Sequence, residues 1–189
     1  MKNTTLTILS AAMLSGCVTP AQWQANHYHD EFTETKTCRV EMGNSNQREF
    51  GRAMMGTYIT YNFYAENHDG EARAGIRSEP SIPIHGDVQI KVGETLYTIT
   101  ADDTPLDVKP ANPPSSKDYA ATLDTIHKQI SPYRAYTGKK AKALLQDIIQ
   151  QTGEVKFRTV GVNAATSGTG RFIVDDQFIA SLKECGLAA

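Results

Sequence analysis

Apolar residues occupy every second position in several stretches of the first half of the chain. In residues 57–78 this alternation runs on both sides of Asp69-Gly70, a dipeptide that is typical of tight turns. Residues 88–99 repeat the pattern, with a turn at Gly93. A period of two places the apolar side chains on one face of a strand. The pattern therefore predicts two β-hairpins, each with one face turned to a core.

Three later segments have apolar residues at the three- and four-residue spacing of an amphipathic helix. The first begins at Ser115, which resembles the start of a capping box, and the second covers about residues 138–152. The third is capped by Asp175 or Asp176 and ends near Glu184. The apolar faces of the three helices consist, in order, of Tyr119, Leu123, Ile126 and Ile130, of Ala141, Leu144, Leu145, Ile148 and Ile149, and of Phe178, Ile179, Leu182 and Cys185.

Two short strands and two loops complete the pattern. Residues 155–160 and 171–174 have strand character, and the small polar residues of 161–170 predict a turn or an exposed loop. Four prolines in residues 105–116 exclude a helix there. Strands come first and helices follow, without the regular strand–helix alternation of a parallel sheet. The predicted fold class is α+β, a mainly antiparallel sheet of two hairpins plus later strands, packed by two or three helices.

The N-terminus has the architecture of a secretory signal. One basic residue precedes about ten mildly apolar residues, a stretch that is too short to cross a membrane. The stretch ends in Leu14-Ser15-Gly16-Cys17, which resembles the lipobox of bacterial lipoproteins. The resemblance implies that residues 1–16 are removed and that the Cys17 thiol carries a diacylglycerol, a stable anchor once two or three acyl chains are present. The alternative is an ordinary signal peptide with a chance cysteine.

The resemblance to lipoproteins also bears on location. An aspartate directly after the lipidated cysteine tends to retain such proteins in the inner membrane, and here Val18 and Thr19 follow instead. The resemblance therefore implies a lipid-anchored protein on the periplasmic face of the outer membrane. Residues 17–36 show no period of either kind, which predicts a tether. We expect a single α+β domain over residues 37–187.

Two cysteines remain once Cys17 is assigned to lipid. Cys38 and Cys185 lie near opposite ends of the predicted domain. Export to an oxidising compartment favours a disulfide between them, which would join the last helix to the first strand. Two free buried thiols are the alternative.

The charge and length of the chain limit its partners. The 189 residues contain 19 Lys and Arg against 21 Asp and Glu, a net charge of −2. This balance argues against nucleic acid as a partner. The length suits one compact domain, and no apolar run reaches the roughly 18 residues of a membrane-spanning helix.

The second half of the chain resembles the invasion-associated locus B family of exported bacterial proteins. The resemblance rests on residues 88–92, 144–149, 155–158, 171–172 and 178–182. It implies a periplasmic β-rich domain with no established enzyme chemistry.

Basic and aromatic residues cluster just before the second predicted helix and in its first turns. The cluster consists of Tyr133, Arg134, Tyr136, Lys139, Lys140 and Lys142. Such a patch is suited to an acidic envelope protein, to peptidoglycan or to anionic lipid headgroups. We predict that it binds a partner, and an ordinary solvated helix face is the alternative.

Motifs that resemble catalytic or metal sites have ordinary structural explanations. His27 and His29, with carboxylates beside them, resemble metal ligands, yet a polar linker also explains them. The glycine-rich residues 165–171 lack the lysine of a phosphate-binding loop. Asp102 and Asp103 are adjacent and would point apart on a strand. We therefore predict no catalytic residue, no metal site and no cofactor.

These features together predict a non-catalytic binding or scaffolding module that is anchored to the membrane. A small envelope hydrolase with scattered site residues is one alternative, and a small-ligand carrier is another. A polar cleft with a histidine and a carboxylate in contact would favour the hydrolase. An apolar cavity between sheet and helices would favour the carrier.

Overall fold

A computed structural model of the chain describes residues 22–43, 50–54, 57–107, 117–151, 153–161 and 167–188. In chain order, its elements are β1 (Gln22–Asp30), β2 (Thr35–Gly43), β3 (Phe50–Met54), β4 (Thr57–His68), β5 (Glu71–Glu79), β6 (Asp87–Val92), β7 (Thr95–Ile99), α1 (Lys117–Gln129), β8 (Tyr133–Thr137), α2 (Gly138–Gln151), β9 (Gly153–Val160), β10 (Gly168–Val174) and α3 (Asp176–Glu184). Within these residues the strands form two antiparallel sheets. The predicted α+β class is confirmed.

One sheet has six strands in the described residues, in the order β1-β2-β4-β5-β8, with β3 also paired to β4. Its centre is the first predicted hairpin, β4 and β5, which is confirmed. The turn between them places Asp69 at φ 50° and Gly70 at φ 88°. Positive φ angles are what this tight turn requires, and glycine adopts them without strain.

Strand β8 was not predicted, and it closes the far edge of the six-stranded sheet. It pairs with β5, where Gly75 lies opposite Ala135. A Cβ atom on Gly75 would lie 1.9 Å from the carbonyl oxygen of Arg134. The absence of a side chain at Gly75 therefore allows β8 to approach β5 closely.

The second sheet has four strands in the described residues, in the order β10-β9-β6-β7. Strands β6 and β7 are the second predicted hairpin, which is confirmed. Buried and exposed residues alternate along β6, β9 and β10, so one face packs on the core and the other faces solvent. Strand β10 begins at Gly168, so the predicted loop over residues 161–170 is wrong for its last three residues. They pair with β9 instead, and residues 162–166 lie outside the described part of the chain.

The predicted tether over residues 17–36 is wrong from residue 22 onward. Gln22–Asp30 is strand β1, which pairs along its whole length with β2. Trp23 is only 2% exposed, whereas most of the later residues of β1 are exposed. An edge strand gains its order mainly from backbone hydrogen bonds to one neighbour, so it needs few apolar residues and shows no clear period.

An aromatic cluster joins the two sheets to α3. Trp23 of β1 lies 4.7 Å from Phe178 of α3 and 5.6 Å from Phe172 of β10, measured between ring centroids. Phe63 of β4 stacks on Phe172 at 4.4 Å. Edge-to-face and offset aromatic contacts contribute about 0.5–1.5 kcal/mol each beyond the area they bury. One core therefore includes residues of both sheets.

Helices α2 and α3 pack as their sequences predict. Residues Ala141, Leu144, Leu145 and Ile148 of α2 are buried. Asp175 caps α3, because its side chain accepts a hydrogen bond from the backbone N–H of Phe178 at 2.8 Å. The predicted inner face of α3 is buried at Phe178 and Leu182.

Helix α1 forms where it is predicted, but its apolar stripe is not part of the described core. No residue of α1 is buried by the described part of the chain, and Tyr119 and Ile126 are 58% and 44% exposed. Amphipathic spacing predicts the helix, but it does not specify what packs against its apolar stripe. Residues 108–116 of the predicted Pro-rich loop lie outside the described residues.

The predicted disulfide is present in the structure. Cys38 of β2 and Cys185 at the end of α3 are joined, with their Cα atoms 5.3 Å apart. The bond links residues that are 147 positions apart and fixes α3 to the six-stranded sheet.

Candidate binding surface

The solvent-facing side of the four-stranded sheet carries a group of cations. Four of them define what we call the basic sheet face: Lys91 of β6, Lys156 and Arg158 of β9, and Arg171 of β10. Each alternates with buried neighbours, because successive side chains of a strand point to opposite faces. An open groove of about 500 Å³ lies over this face and is also lined by Leu96 of β7.

Three of these cations form a row across the strands. Arg171 lies directly opposite Lys156, and Lys156 lies directly opposite Lys91. Like charges in directly opposed positions repel each other, so this row needs counter-charges nearby. Arg158 occupies the next row and donates from Nε to Gln89 Oε1 at 2.6 Å.

Two carboxylates, Glu154 and Glu94, form ion pairs with the cations of this row. Glu154 lies 3.1 Å from Arg171 Nη1 and 3.4 Å from Lys156 Nζ. Glu94 lies 3.6 Å from Lys91 Nζ, and its own side chain is 99% exposed. Exposed ion pairs contribute little and are screened by salt, so the face keeps its ability to attract anions.

The structure separates the predicted patch before α2 into buried and exposed parts, and Arg134 is the clearest correction. Its side chain is 1% exposed, and its guanidinium donates to the backbone carbonyls of Ile84, Gly86, Lys128, Gln129 and Tyr133. Burial holds the pKa of the Arg134 guanidinium below its usual value. The predicted role of Arg134 in binding a partner is therefore wrong, because five rigid acceptors already occupy the fork.

Tyr133 and Tyr136 are half-buried and also have internal partners. The Tyr133 hydroxyl donates to Asp107 at 2.8 Å, and the Tyr136 hydroxyl donates to the carbonyl of Thr98 at 2.7 Å. Burial and the Asp107 carboxylate raise the pKa of Tyr133 well above its usual range. Both rings connect loops and strands, so they do not form an open aromatic surface.

The three lysines of the patch remain exposed on α2. Lys140 donates to Asp103 at 2.7 Å, and Lys139 and Lys142 point to solvent. These exposed lysines are what remains of the predicted patch as a surface for partners, and that role stays a prediction.

A second polar cluster lies between β2, β4, β5 and β8. Glu66 is 4% exposed and accepts from Arg39 Nε at 2.9 Å, with Arg73 at 3.5 Å. Arg73 also pairs with Asp107, whose other oxygen accepts from Tyr133. Buried charges require such pairing, and here it ties the loop before residue 108 to the sheet. The cleft beside this cluster measures about 210 Å³.

The histidine cluster of the sequence lies on β1 and its turn. His27 Nε2 lies 3.4 Å from Glu184 Oε1 and 3.6 Å from Cys38 Sγ, which is held in the disulfide. The side chains of His27 and Glu184 are 64% and 59% exposed, and His27 also lines an open cleft of about 430 Å³ with Asn67 and Asp69. Among the described residues, no three His, Cys, Asp or Glu side chains come together to hold a metal ion.

The basic sheet face is the surface that sequence reasoning missed. The alternation of Lys156 and Arg158 with apolar residues predicts that both point to solvent. It does not predict that β6 and β10 flank β9 on either side, and this neighbourhood brings Lys91 and Arg171 into the same row.

Comparison of the chain with known protein families, with curated proteins and with solved structures gives no match. No helix in the described part of the chain is both long enough and apolar enough to span a membrane. Lipid attachment at Cys17 and the resemblance to the invasion-associated locus B family stay predictions.

Proposed function

We propose that the protein is a lipid-anchored envelope lipoprotein on the periplasmic face of the outer membrane. It acts as a non-catalytic binding module, and the basic sheet face is its binding surface. The lipobox at Cys17 supports the anchor. The row formed by Arg171, Lys156 and Lys91 supports the binding role, and it is the observation that carries the proposal.

Arrangements that depart from the local rules of sheet stability are expected at functional sites. Glu154 and Glu94 offset part of the repulsion between the three opposed cations, and bound anions would offset more of it. The lysines and arginines of the face also differ in chemistry. Arginine offers a planar fork to a phosphate or carboxylate, whereas lysine offers a compact point charge.

The two other candidate functions rest on less. A small hydrolase would use a histidine and a carboxylate, and the contact of His27 with Glu184 is an exposed one beside a disulfide. A ligand carrier would use an apolar cavity, whereas the largest groove described above opens onto a basic surface. Neither observation supports its candidate as directly as the cation row supports binding of an anion.

The test of the anchor is the intact mass of the protein from the membrane fraction of a bacterial host, with and without reductant. We expect a chain that begins at Cys17, carries acyl chains and gains the mass of a pair of hydrogen atoms on reduction. A Cys17→Ser variant, which is the matched control, should lack the acyl mass. An unacylated wild-type chain would contradict the anchor.

A further inference from the structure

We propose that the basic sheet face binds the anionic phospholipid headgroups of the membrane to which Cys17 is attached. This inference rests on the proposed function, because the anchor is what brings the face to a lipid surface. The partner of the basic sheet face is then the membrane itself. The domain would then lie on the bilayer through a second, electrostatic contact in addition to its acyl chains.

The first support is the short distance between the lipidation site and the sheet. Strand β1 begins at Gln22, five residues after Cys17. Five extended residues reach at most about 18 Å. The next residue, Trp23, donates from its indole N–H to the carbonyl of Ile173 at 3.0 Å. The anchor therefore holds the end of β10 within a short distance of the lipid surface.

The second support is which face of β10 is open. Ile173 is 38% exposed and lies on the same side of the strand as Arg171, two residues earlier. The side chains of Arg171, Lys156 and Lys91 are 60%, 70% and 52% exposed. The cations therefore begin next to the anchored edge and continue across neighbouring strands.

The third support is the chemistry of the face. A row across three strands at a spacing of about 4.8 Å spans about 10 Å. Such a row can meet more than one phosphate of a headgroup layer, whereas a single acidic side chain would neutralise one cation. Leu96 is 56% exposed at the other end of the row, and with Ile173 it supplies apolar contact at both edges. Cationic surfaces with apolar residues beside them are typical of proteins that lie at a lipid interface.

The test uses the full chain with Cys17→Ser, so that binding does not depend on acylation. Its partition is measured by co-sedimentation with vesicles of phosphatidylcholine alone and with vesicles that also contain phosphatidylglycerol. Binding to phosphatidylcholine alone reports any apolar contribution, including that of residues 1–16. The difference between the two vesicles reports the headgroup charge.

Two triple variants with equal charge changes locate the contact. One is Lys91→Gln, Lys156→Gln and Arg158→Gln on the basic sheet face. The matched control replaces three exposed lysines of the helices by glutamine: Lys139, Lys142 and Lys183. Circular dichroism and the mass shift on reduction check that each variant is folded and oxidised.

We expect the sheet variant to lose the preference for anionic vesicles and the helix variant to keep it. A cation at a lipid surface contributes about a fivefold increase in partition, so the triple change should reduce binding by at least about tenfold. Added salt should weaken the wild-type preference. Three results would overturn the proposal. The helix variant alone could lose the preference for anionic vesicles, both variants could lose it equally, or the parent chain could show no such preference. An acidic soluble partner would then be the remaining occupant of the face. Because the chain is unacylated in every arm, this result is independent of the mass measurement that tests the anchor.

Discussion

The indole N–H of Trp23 donates a hydrogen bond to the backbone carbonyl of Ile173, 150 residues later in the chain. This contact joins the first described strand to the edge strand of the other sheet. Trp23 is also the single tryptophan of the sequence, and it is 2% exposed among Phe63, Phe172 and Phe178. Trp23, which lies in the segment expected to be a tether, is therefore part of the core.

Replacement of Trp23 by alanine should strongly destabilise the fold. Removal of a buried tryptophan typically costs about 3–5 kcal/mol, through lost burial and the cavity left behind. Urea unfolding of the Cys17→Ser chain, followed by circular dichroism, measures this change. Phe32→Ala is the control, because Phe32 lies in the turn after β1 and is 99% exposed. Equal stability of the two variants would show that β1 does not belong to the folded core.

Arg134→Lys should lower stability although the charge is kept. The ammonium of lysine cannot replace a fork that donates to five backbone carbonyls, so buried acceptors would lose their partners. We expect a loss of at least about 2 kcal/mol in the free energy of unfolding. Arg158→Lys, on the exposed face, should change stability by less than about 0.5 kcal/mol. A neutral Arg134→Lys would return Arg134 to the list of surface residues that can bind a partner.

Loss of the disulfide should destabilise the protein mainly through its unfolded state. The bond closes a segment of 147 positions, and the chain-entropy model gives about 4–5 kcal/mol for loops of this size. The urea midpoint of the Cys38→Ser, Cys185→Ser variant should fall by the corresponding amount. Reduced wild-type protein should show the same midpoint as the variant. Insensitivity of the wild-type midpoint to reductant would contradict the bridge.

Asp103 should make stability depend on pH in the acidic range. Burial acts to raise the pKa of Asp103, but hydrogen bonds from Lys140 and from Thr100 outweigh it and hold the pKa below the usual 3.8. A carboxylate with a lowered pKa in the folded state contributes stability above its unfolded pKa, and that contribution is lost as the pH falls through the folded pKa. Asp103→Ala should therefore cost about 1 kcal/mol at pH 7 and progressively less below about pH 4.

The measurement is urea unfolding at a series of pH values from neutral to acidic. Asp102→Ala is the control. Asp102 is the adjacent carboxylate and is exposed, so its replacement removes one negative charge without removing the hydrogen bonds of Asp103. The free energies of unfolding of Asp103→Ala and of the parent chain should converge as the pH falls. A difference that stays constant down to the lowest pH would show that the charged form of Asp103 is not the source of the stability.

Local patterns were enough to predict the two hairpins and the buried faces of helices α2 and α3. The alternation of apolar and polar residues in β4–β5 and β6–β7 is visible within each strand, and the Asp69-Gly70 dipeptide favours a tight turn. Strand β1 was missed because an edge strand with one deeply buried residue has no period to detect. Strand β8 was missed because Arg134 has the sequence character of a surface residue, although its guanidinium is buried.

The candidate site depends on strand neighbours, which local patterns do not specify. Lys91 and Arg171 are 80 positions apart in number, and only the order β10-β9-β6 places them on either side of Lys156. The apolar stripe of α1 shows the opposite limit. Its spacing predicts a helix correctly, but spacing alone does not predict which part of the protein packs against the stripe.

The most direct test of the central claim is lysine acetylation of the acylated full-length protein, free in detergent and reconstituted in vesicles that contain phosphatidylglycerol. Mass spectrometry of peptides reports the rate at each lysine. We predict that the vesicles slow the modification of Lys91 and Lys156 severalfold and leave Lys139 and Lys142 on α2 unchanged. Protection of Lys139 and Lys142 with Lys91 and Lys156 still reactive would contradict the claim that the basic sheet face lies on the membrane.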